Sequence, residues 1–456
     1  MTLIDPCCLI NAINVDQCGQ GWPRRHHGFV NQRPGIVDQG QGERRDARAR
    51  EWVTTAEATR LLGVKRETLY AYASRGLVRA AASGEGPRGR VYNREDVDRL
   101  RARSQARAGH GPVAASALRW GEPVLETRIG SIGREGPIYR GRPAVALARE
   151  GVSFEDICSL LWGAPFRPEA ELDGRRLGVP VAHLRALLRP SAEPFDGMLI
   201  TAGVLAASEQ HAEPSLEVAR ARAAALMRRL VASCGLVSGA DAVSASLEAA
   251  STARALLAAL GGRTTPPRVA AMTEALVLAA DHELNPSTFA ARVAASAGAS
   301  LPACTMAALA ALSGPLHGAA TARVEAFVAE VARPERGAAA VGERLARGES
   351  VPGFGHPAYP EGDPRGARLL EIAQRIGGRS RGVRIIVSVV NAMELVARER
   401  PTLDVGLVAL SAALGLPRGS ALAVFACGRV AGWIAHALEQ RAAGFILRPR
   451  ARYVGA

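Results

Sequence analysis

Lysine is almost missing: of the 57 basic residues in this 456-residue chain, all but Lys65 are arginine. The formal charge of +14 and the pI near 10.4 are therefore arginine charge. Heavy Arg and Ala use follows genomic base composition as readily as it follows a polyanionic partner, so the place where the charge concentrates carries more information than the pI. Seven cysteines stand at 7, 8, 18, 158, 234, 304 and 427 without a CxxC spacing or paired histidines nearby. That excludes a zinc site or disulfide framework of ordinary spacing, implies reduced thiols and leaves no metal to expect. No uninterrupted apolar run reaches the ~18 to 20 residues of a membrane helix, and no charged, apolar and small-residue series marks a signal peptide. The expected compartment is the cytoplasm, with no membrane partner. Alternating β-branched residues are scarce as well; only "PVLETRIGSI…GPIYRG" reads as a hairpin.

What is present is a 48% hydrophobic chain long enough for two or three globular domains. Residues 1–50 interleave Gly, Gln, Pro and Arg with no period and read as a disordered tail, and the adjacent His26 and His27 are too few to bind a metal. From Trp52 the pattern changes. Thr54 or Thr55 can cap a helix with Ala58, Leu61 and Leu62 on one face; Gly63 ends it, and a second helix from about Lys65 turns Leu69 and Tyr72 inward. A Gly/Pro/Arg-rich stretch over 83–90 leads to a third helix capped by Asn93. The stretches "EATRLLGVKRETLYAYASRGLV" and "YNREDVDRLR" make residues 51–104 resemble a MerR/excisionase-type winged helix-turn-helix. That resemblance places Lys65, Arg66, Thr68 and Tyr70 on or beside a recognition helix and Arg88 and Arg90 in the wing, facing double-stranded DNA. Twelve Arg plus Lys stand against seven Asp plus Glu between 51 and 110; a packing or regulatory module remains the alternative. Residues 105–118 suit a linker.

The remaining chain reads as helix after helix, which predicts an all-α body. Four places in it set a histidine, arginine or aspartate beside a helix start, where backbone N–H groups and the dipole favour anions. Asn285 and Pro286 form a cap and first turn just after His282, which alone is an ordinary loop histidine. His317 in "GPLHG" precedes a helix marked by Val324, Phe327, Val328 and Val331, and the dipole end favours its neutral ring. In "VPGFGHPAYPEGDPR", Asp363 caps a helix begun by Pro364, and Arg365 falls in its first turn, a position that makes sense if an anion binds there. Asp404 stands at the edge of an apolar helix, poised as a base, and Arg429 lies inside another beginning near Ser420, where a charge must be paired or wait for a ligand.

In this order, the motifs "GPLHG", "VPGFGH" followed by "DPR", and "RVAGWIAHALEQ" resemble citrate synthase over roughly residues 120–456. The resemblance implies large and small helical domains, the small one within about 320–430 of a 119–456 body, and a homodimer. It implies condensation of acetyl-CoA with oxaloacetate to citrate and CoA, with acetyl-CoA as co-substrate and no metal or redox cofactor. Asp404 would take the methyl proton, His317 would hydrogen-bond the thioester oxygen and His356 would serve the ketone oxygen. His282, Arg365, Arg429 and, from the other subunit, Arg448 match the positions that hold carboxylates; Val351, Pro352, Gly353 and Gly355 match the CoA loop.

Three departures surround these residues. Ala319-Ala320-Thr321 stands where the family commonly has Gly-Ala-Asn, "GHPAY" where it has "GHRVY", and "PTLD" where it has "PNVD". An added methylene in a pocket is worth only ~1–3 kcal/mol, so 2-methylcitrate synthesis from propionyl-CoA is the nearest alternative. A regulator that senses CoA esters or oxoacids through this body is the rival from another class.

Overall fold

The computed structural model describes residues 52–82, 90–107, 125–167, 177–208, 213–451, 453 and 455. The tail 1–50, Arg88 and residues 108–118 lie outside these. The chain divides into two units, Met1–Leu125 and Glu126–Ala456.

The first unit runs β1 (Trp52–Thr54), α1 (Thr55–Leu62), α2 (Arg66–Ser74), β2 (Ala80–Ala82), β3 (Arg90–Asn93) and α3 (Arg94–Arg107). Thr54 is the cap of α1: its side chain accepts from Glu57 N–H, and Gly63 closes the helix at φ 64°. Asn93 Oδ1 accepts from Asp96 N–H at 3.2 Å to start α3. The antiparallel order β1-β3-β2 makes β2 and β3 the wing. Val53, Ala58, Leu62, Leu69, Val78, Tyr92 and Val97 form the core, with Tyr72 packed on its edge. Helix α3 continues to Arg107, so the first three residues of the expected linker are helical; Ser104 through Arg107 contain no glycine or proline to stop it.

The second unit opens with the expected hairpin, β4 (Gly130–Gly133) and β5 (Gly136–Tyr139), extended by β6 (Arg142–Pro143). Helices follow as α4 (Ala144–Arg149), α5 (Phe154–Trp162), α6 (Val181–Ala186), α7 (Pro194–Ser208), α8 (Leu216–Ser233), α9 (Ala240–Glu248) and α10 (Thr252–Ala259). Next come α11 (Pro266–Ala279), α12 (Pro286–Ser296), α13 (Leu301–Leu312), α14 (Ala320–Val331) and α15 (Gly337–Ala346). The last four are α16 (Pro364–Gly377), α17 (Arg381–Val396), α18 (Leu403–Leu414) and α19 (Ser420–Ala443).

Helix α19 is the axis of the main core. It is long and apolar enough to cross a membrane, but its apolar stretch is wholly buried inside the unit. Its two glycines are a docking notch. A Cβ on Gly428 would come within 2.8 Å of the Ala279 Cβ, and one on Gly432 within 2.5 Å of the Ala280 carbonyl oxygen and 2.6 Å of Asp281 Oδ1. Without those Cβ atoms the carboxyl end of α11 seats directly on α19, where Gly432 N–H donates to Ala280 O (2.9 Å) and Arg429 Nε–H to Ala279 O (2.8 Å). A second, smaller core gathers Phe327, Val331, Ala340, Val341, Val351, Ile385, Val389, Ala392 and Met393 from α14, α15, α17 and the loop before α16.

Because the clash at Gly432 is with backbone, relaxation is limited. Gly432→Ala is expected to lower stability by about 1–3 kcal/mol, read as a shift in the denaturation midpoint, whereas Gly444→Ala, with open space around it, costs only its left-handed φ of 71°.

Candidate active site

The notch delivers His282 three residues beyond the end of the seated helix α11. Glu283 follows at φ 53°, a left-handed conformation uncommon for such a residue, held by its N–H donating to Asp281 Oδ2 (3.2 Å). Asn285 then caps α12, its Oδ1 accepting from Thr288 N–H. His282 is buried and its Nε2 lies 2.8 Å from Tyr359 Oη. Burial, then the charges of Arg365 and Arg429, press its pKa well below the usual histidine range, so the ring is neutral.

The loop "VPGFGHPAYPEGDPR" supplies two more groups. Val351 is buried in the smaller core, and Gly353, at φ 88°, is the close approach: a Cβ there would meet Val405 Cγ2 at 2.5 Å and Val324 Cγ2 at 2.7 Å. Pro352 is half-buried and Gly355, at φ 72°, is exposed. His356 O accepts from Tyr359 N–H (2.8 Å), closing a β-turn with Pro357 at its second position, where proline's fixed φ fits. Ala358 N–H donates to His356 Nδ1 (3.1 Å), so the neutral ring carries its proton on Nε2. Burial and Arg365 lower the His356 pKa, partly opposed by Asp363. The change to Pro357-Ala358 thus keeps the one backbone donor the histidine needs.

Asp363 caps α16 as expected, but it also answers the question of Arg365. The carboxylate grips the guanidinium at both ends, Nε–Oδ1 2.9 Å and Nη2–Oδ2 2.8 Å, and both side chains are buried. The anion beside Arg365 is therefore its own N-cap, which leaves Nη1 outside the bidentate pair. Burial alone would raise the Asp363 carboxyl, yet Arg365 holds it below the ordinary aspartate value. Asp363 Oδ2 accepts in addition from Leu403 N–H (3.1 Å), which joins the Arg365 helix to the start of α18.

Asp404 lies in the first turn of α18. Thr402 Oγ1–H donates to its Oδ2 (3.1 Å), while Oδ1 is buried with no hydrogen-bond partner among the described residues. Burial raises the carboxyl to about 6, with Thr402 and Arg365 pulling the other way. Arg429 is 1% exposed and has no carboxylate partner among the described residues. Its Nε–H goes to Ala279 O, its Cζ lies 4.8 Å over the Phe425 ring, and burial lowers it to about 10 against the opposing charge of Asp281. His317 stands 6.1 Å from the same ring, edge-on. Its pKa falls to about 4 through burial followed by Arg429.

His317 Nε2 is 2.8 Å from Ser287 Oγ, which also lies 2.7 Å from Asn285 Oδ1 and accepts from Trp433 Nε1–H at 3.1 Å. The Ser287 hydroxyl donates to Asn285 Oδ1, which orients its oxygen toward the His317 ring and the Trp433 N–H. Gly318 is compelled by packing, since a Cβ would fall 2.5 Å from Leu312 Cγ, and Thr321, at the departure after "GPLHG", donates its hydroxyl to Gly318 O (2.9 Å).

Three neutral histidines, an arginine outside any ion pair among the described residues and an aspartate raised to about 6 now share one region. The model "Citrate synthase, C-terminal domain" matches residues 117–450 of the chain. The chain belongs to the citrate synthase family. "Citrate synthase 2" of Bacillus subtilis is 30% identical over 325 residues, covering 67% of this chain and 87% of that protein. "2-methylcitrate synthase" of Shewanella oneidensis is 35% identical over 191 residues, 40% of this chain and 50% of that one. The citrate synthase of Thermoplasma acidophilum, solved as a ternary complex with carboxymethyl coenzyme A and oxaloacetate, superposes with a TM-score of 0.63 at 25% identity, covering 73% of this chain and 94% of its own. A helix-turn-helix domain model matches residues 52–105.

Against these citrate synthase expectations, Arg448 stands apart. It is exposed in the segment after α19 and makes no hydrogen bond or ion pair within the described residues of its own chain. On the helix-turn-helix, Lys65 caps α2 without a side-chain bond, Arg66, Tyr70 and Arg90 are exposed, and Thr68 is half-buried. Tyr359, Ser287, Trp433 and Phe425 were not singled out from the sequence. Phe425 could have been, because it stands one turn before Arg429 on the same face.

The Asp404 carboxyl gives a stability test. Its pKa is higher folded (about 6) than unfolded (about 3.9), so its protonation favours folding fully below pH ~4 and that contribution is lost as pH rises through 6. Asp404→Asn should therefore be more stable than wild type by roughly 2–3 kcal/mol at pH 8 and equal to it near pH 3.5, as read by denaturation at both pH values.

Proposed function

We propose that the protein condenses acetyl-CoA with oxaloacetate and water, releasing citrate and CoA, as a cytoplasmic homodimer. The observation that carries this reading is Arg429, a fully buried guanidinium without a carboxylate partner among the described residues. A buried cation of this kind is matched by a small anion brought in from solution. Arg429, Nη1 of Arg365 and His282 hold the carboxylates of oxaloacetate, and Arg448 of the second subunit completes the set. Asp404, ionised above about pH 6, removes a proton from the acetyl methyl group. His317, held by Ser287 at Nε2, donates to the thioester oxygen as it gains enol character. The enol carbon bonds to the ketone carbon of oxaloacetate while Nε2–H of His356 supplies the proton for the new alcohol. Water then cleaves the citryl thioester. Val351, Pro352, Gly353 and Gly355 form the CoA loop.

The dimer reading has support in the single chain. Helices α7 and α13 carry one charge between them, Asp196, and pack together with Met306 exposed; Phe445, Ile446 and Tyr453 are exposed beyond α19. Such surfaces fit an isologous interface. A second reading follows from the helix-turn-helix: the unit binds double-stranded DNA through Lys65, Arg66, Thr68, Tyr70, Arg88 and Arg90, and the body reports substrate occupancy to it. A two-fold pair of such modules would suit a palindromic site.

Free-thiol release from acetyl-CoA or propionyl-CoA with oxaloacetate tests the enzyme. Turnover is expected with acetyl-CoA preferred, with kcat rising through an acid limb near pH 6 and a fall of about 10²–10⁴-fold in Asp404→Ala; faster turnover with propionyl-CoA would reassign the product, and none with either would leave the regulator.

Mixing inactive Arg448→Ala with inactive Asp404→Ala tests the shared site. Random exchange should restore about one quarter of the wild-type rate, and no recovery would place Arg448 in its own chain's site. Retarded migration of promoter DNA that weakens with salt and disappears without residues 51–104 is the outcome expected of the module.

A further inference from the structure

Tyr359 has no part in the scheme above, yet it stands where three of its groups meet. Its Oη is 2.8 Å from His282 Nε2, its ring centroid is 5.1 Å from that of His356, and Arg365 Cζ lies 5.4 Å over its face. The side chain is 3% exposed. Its backbone is tied on both sides, the N–H donating to His356 O (2.8 Å) and the carbonyl accepting from Gly362 N–H (3.0 Å).

The direction of the Tyr359–His282 hydrogen bond can be decided. Burial pushes the phenol up to about 12, and burial followed by Arg365 and Arg429 keeps His282 uncharged, so both partners are neutral. A neutral imidazole has one N–H and one lone pair. The phenol is the stronger acid and the bare ring nitrogen the stronger base, so O–H···N is the favoured sense. Tyr359 Oη also has no other hydrogen-bond partner among the described residues. If Nε2–H donated instead, the phenolic proton would be left unpaired in a buried place, which is costly.

We propose that Tyr359 is a positioning residue that locks His282 in the tautomer protonated on Nδ1, so that an incoming dicarboxylate meets a fixed Nδ1–H donor. The ligand in this statement rests on the oxaloacetate reading of the site; the tautomer does not. In a ring free of the lock the proton divides between the two nitrogens, and every binding event must first select one form.

The test uses full-length protein with 15N-labelled histidine, in wild type, Tyr359→Phe, His282→Ala and the double variant. Phenylalanine keeps the ring and its contacts with His356 and Arg365. The wild-type spectrum, assigned by the signal missing in His282→Ala, is expected to show the proton of His282 on Nδ1, with a redistribution toward Nε2 in Tyr359→Phe. Calorimetric titration with oxaloacetate should show affinity falling roughly three- to tenfold in Tyr359→Phe and no further fall when the same change is added to His282→Ala. A wild-type proton on Nε2, or an equal loss in the His282→Ala background, overturns the lock. If wild type binds no oxaloacetate, the substrate reading fails, and the spectrum still decides the tautomer.

Discussion

The contact on which the site depends is the carboxyl end of α11 resting in the Gly428–Gly432 notch of α19. Two helices approach there with no side chain between them, and two carbonyls that would end α11 unsatisfied receive Arg429 Nε–H and Gly432 N–H. The negative end of a helix dipole therefore faces the buried guanidinium and, with the Asp281 carboxylate, helps it stay charged. The same seat fixes where the chain leaves α11, and so fixes His282. One packing contact sets both an anion-seeking charge and a neutral donor beside it.

The other half of the site is strapped together by backbone. Thr402 N–H donates to Gly353 O (2.9 Å), Gly355 N–H to Arg400 O (3.3 Å), and Phe354 pairs with Pro401. Asp363 then bonds Arg365 on one side and Leu403 N–H on the other. The histidine loop, the arginine at the start of α16 and the aspartate at the start of α18 thus form one mechanically continuous piece. A displacement of His356 would carry Asp404 with it, so the proposed base and proton donor keep their spacing.

Much of this was legible in the sequence because it is local. Caps at Thr54, Asn93, Asn285 and Asp363, the hairpin at 130–139, and the apolar helices around Asp404 and Arg429 all follow from patterns spanning a few residues. The order of the motifs was enough to suggest the family. What the sequence withheld depends on contacts between distant segments. "GRVAG" does not disclose that its glycines receive a helix end some 150 residues earlier, nor does "GPLHG" disclose that Ser287 and Trp433 meet its histidine. Electrostatic causes were only partly legible for the same reason: the burial and the Arg429 charge that lower His317, and the pairing of Arg365 with its cap Asp363, are not disclosed by a short motif.

On the proposed function, Arg429 makes the substrate part of the fold. A guanidinium sealed in an apolar helix raises the free energy of the empty protein, and a bound dianion lowers it, so occupancy and folding draw on the same equilibrium. Scarcity of the oxoacid would then do more than idle the enzyme. It would leave the polypeptide itself less durable, and its abundance would follow the supply of its own substrate.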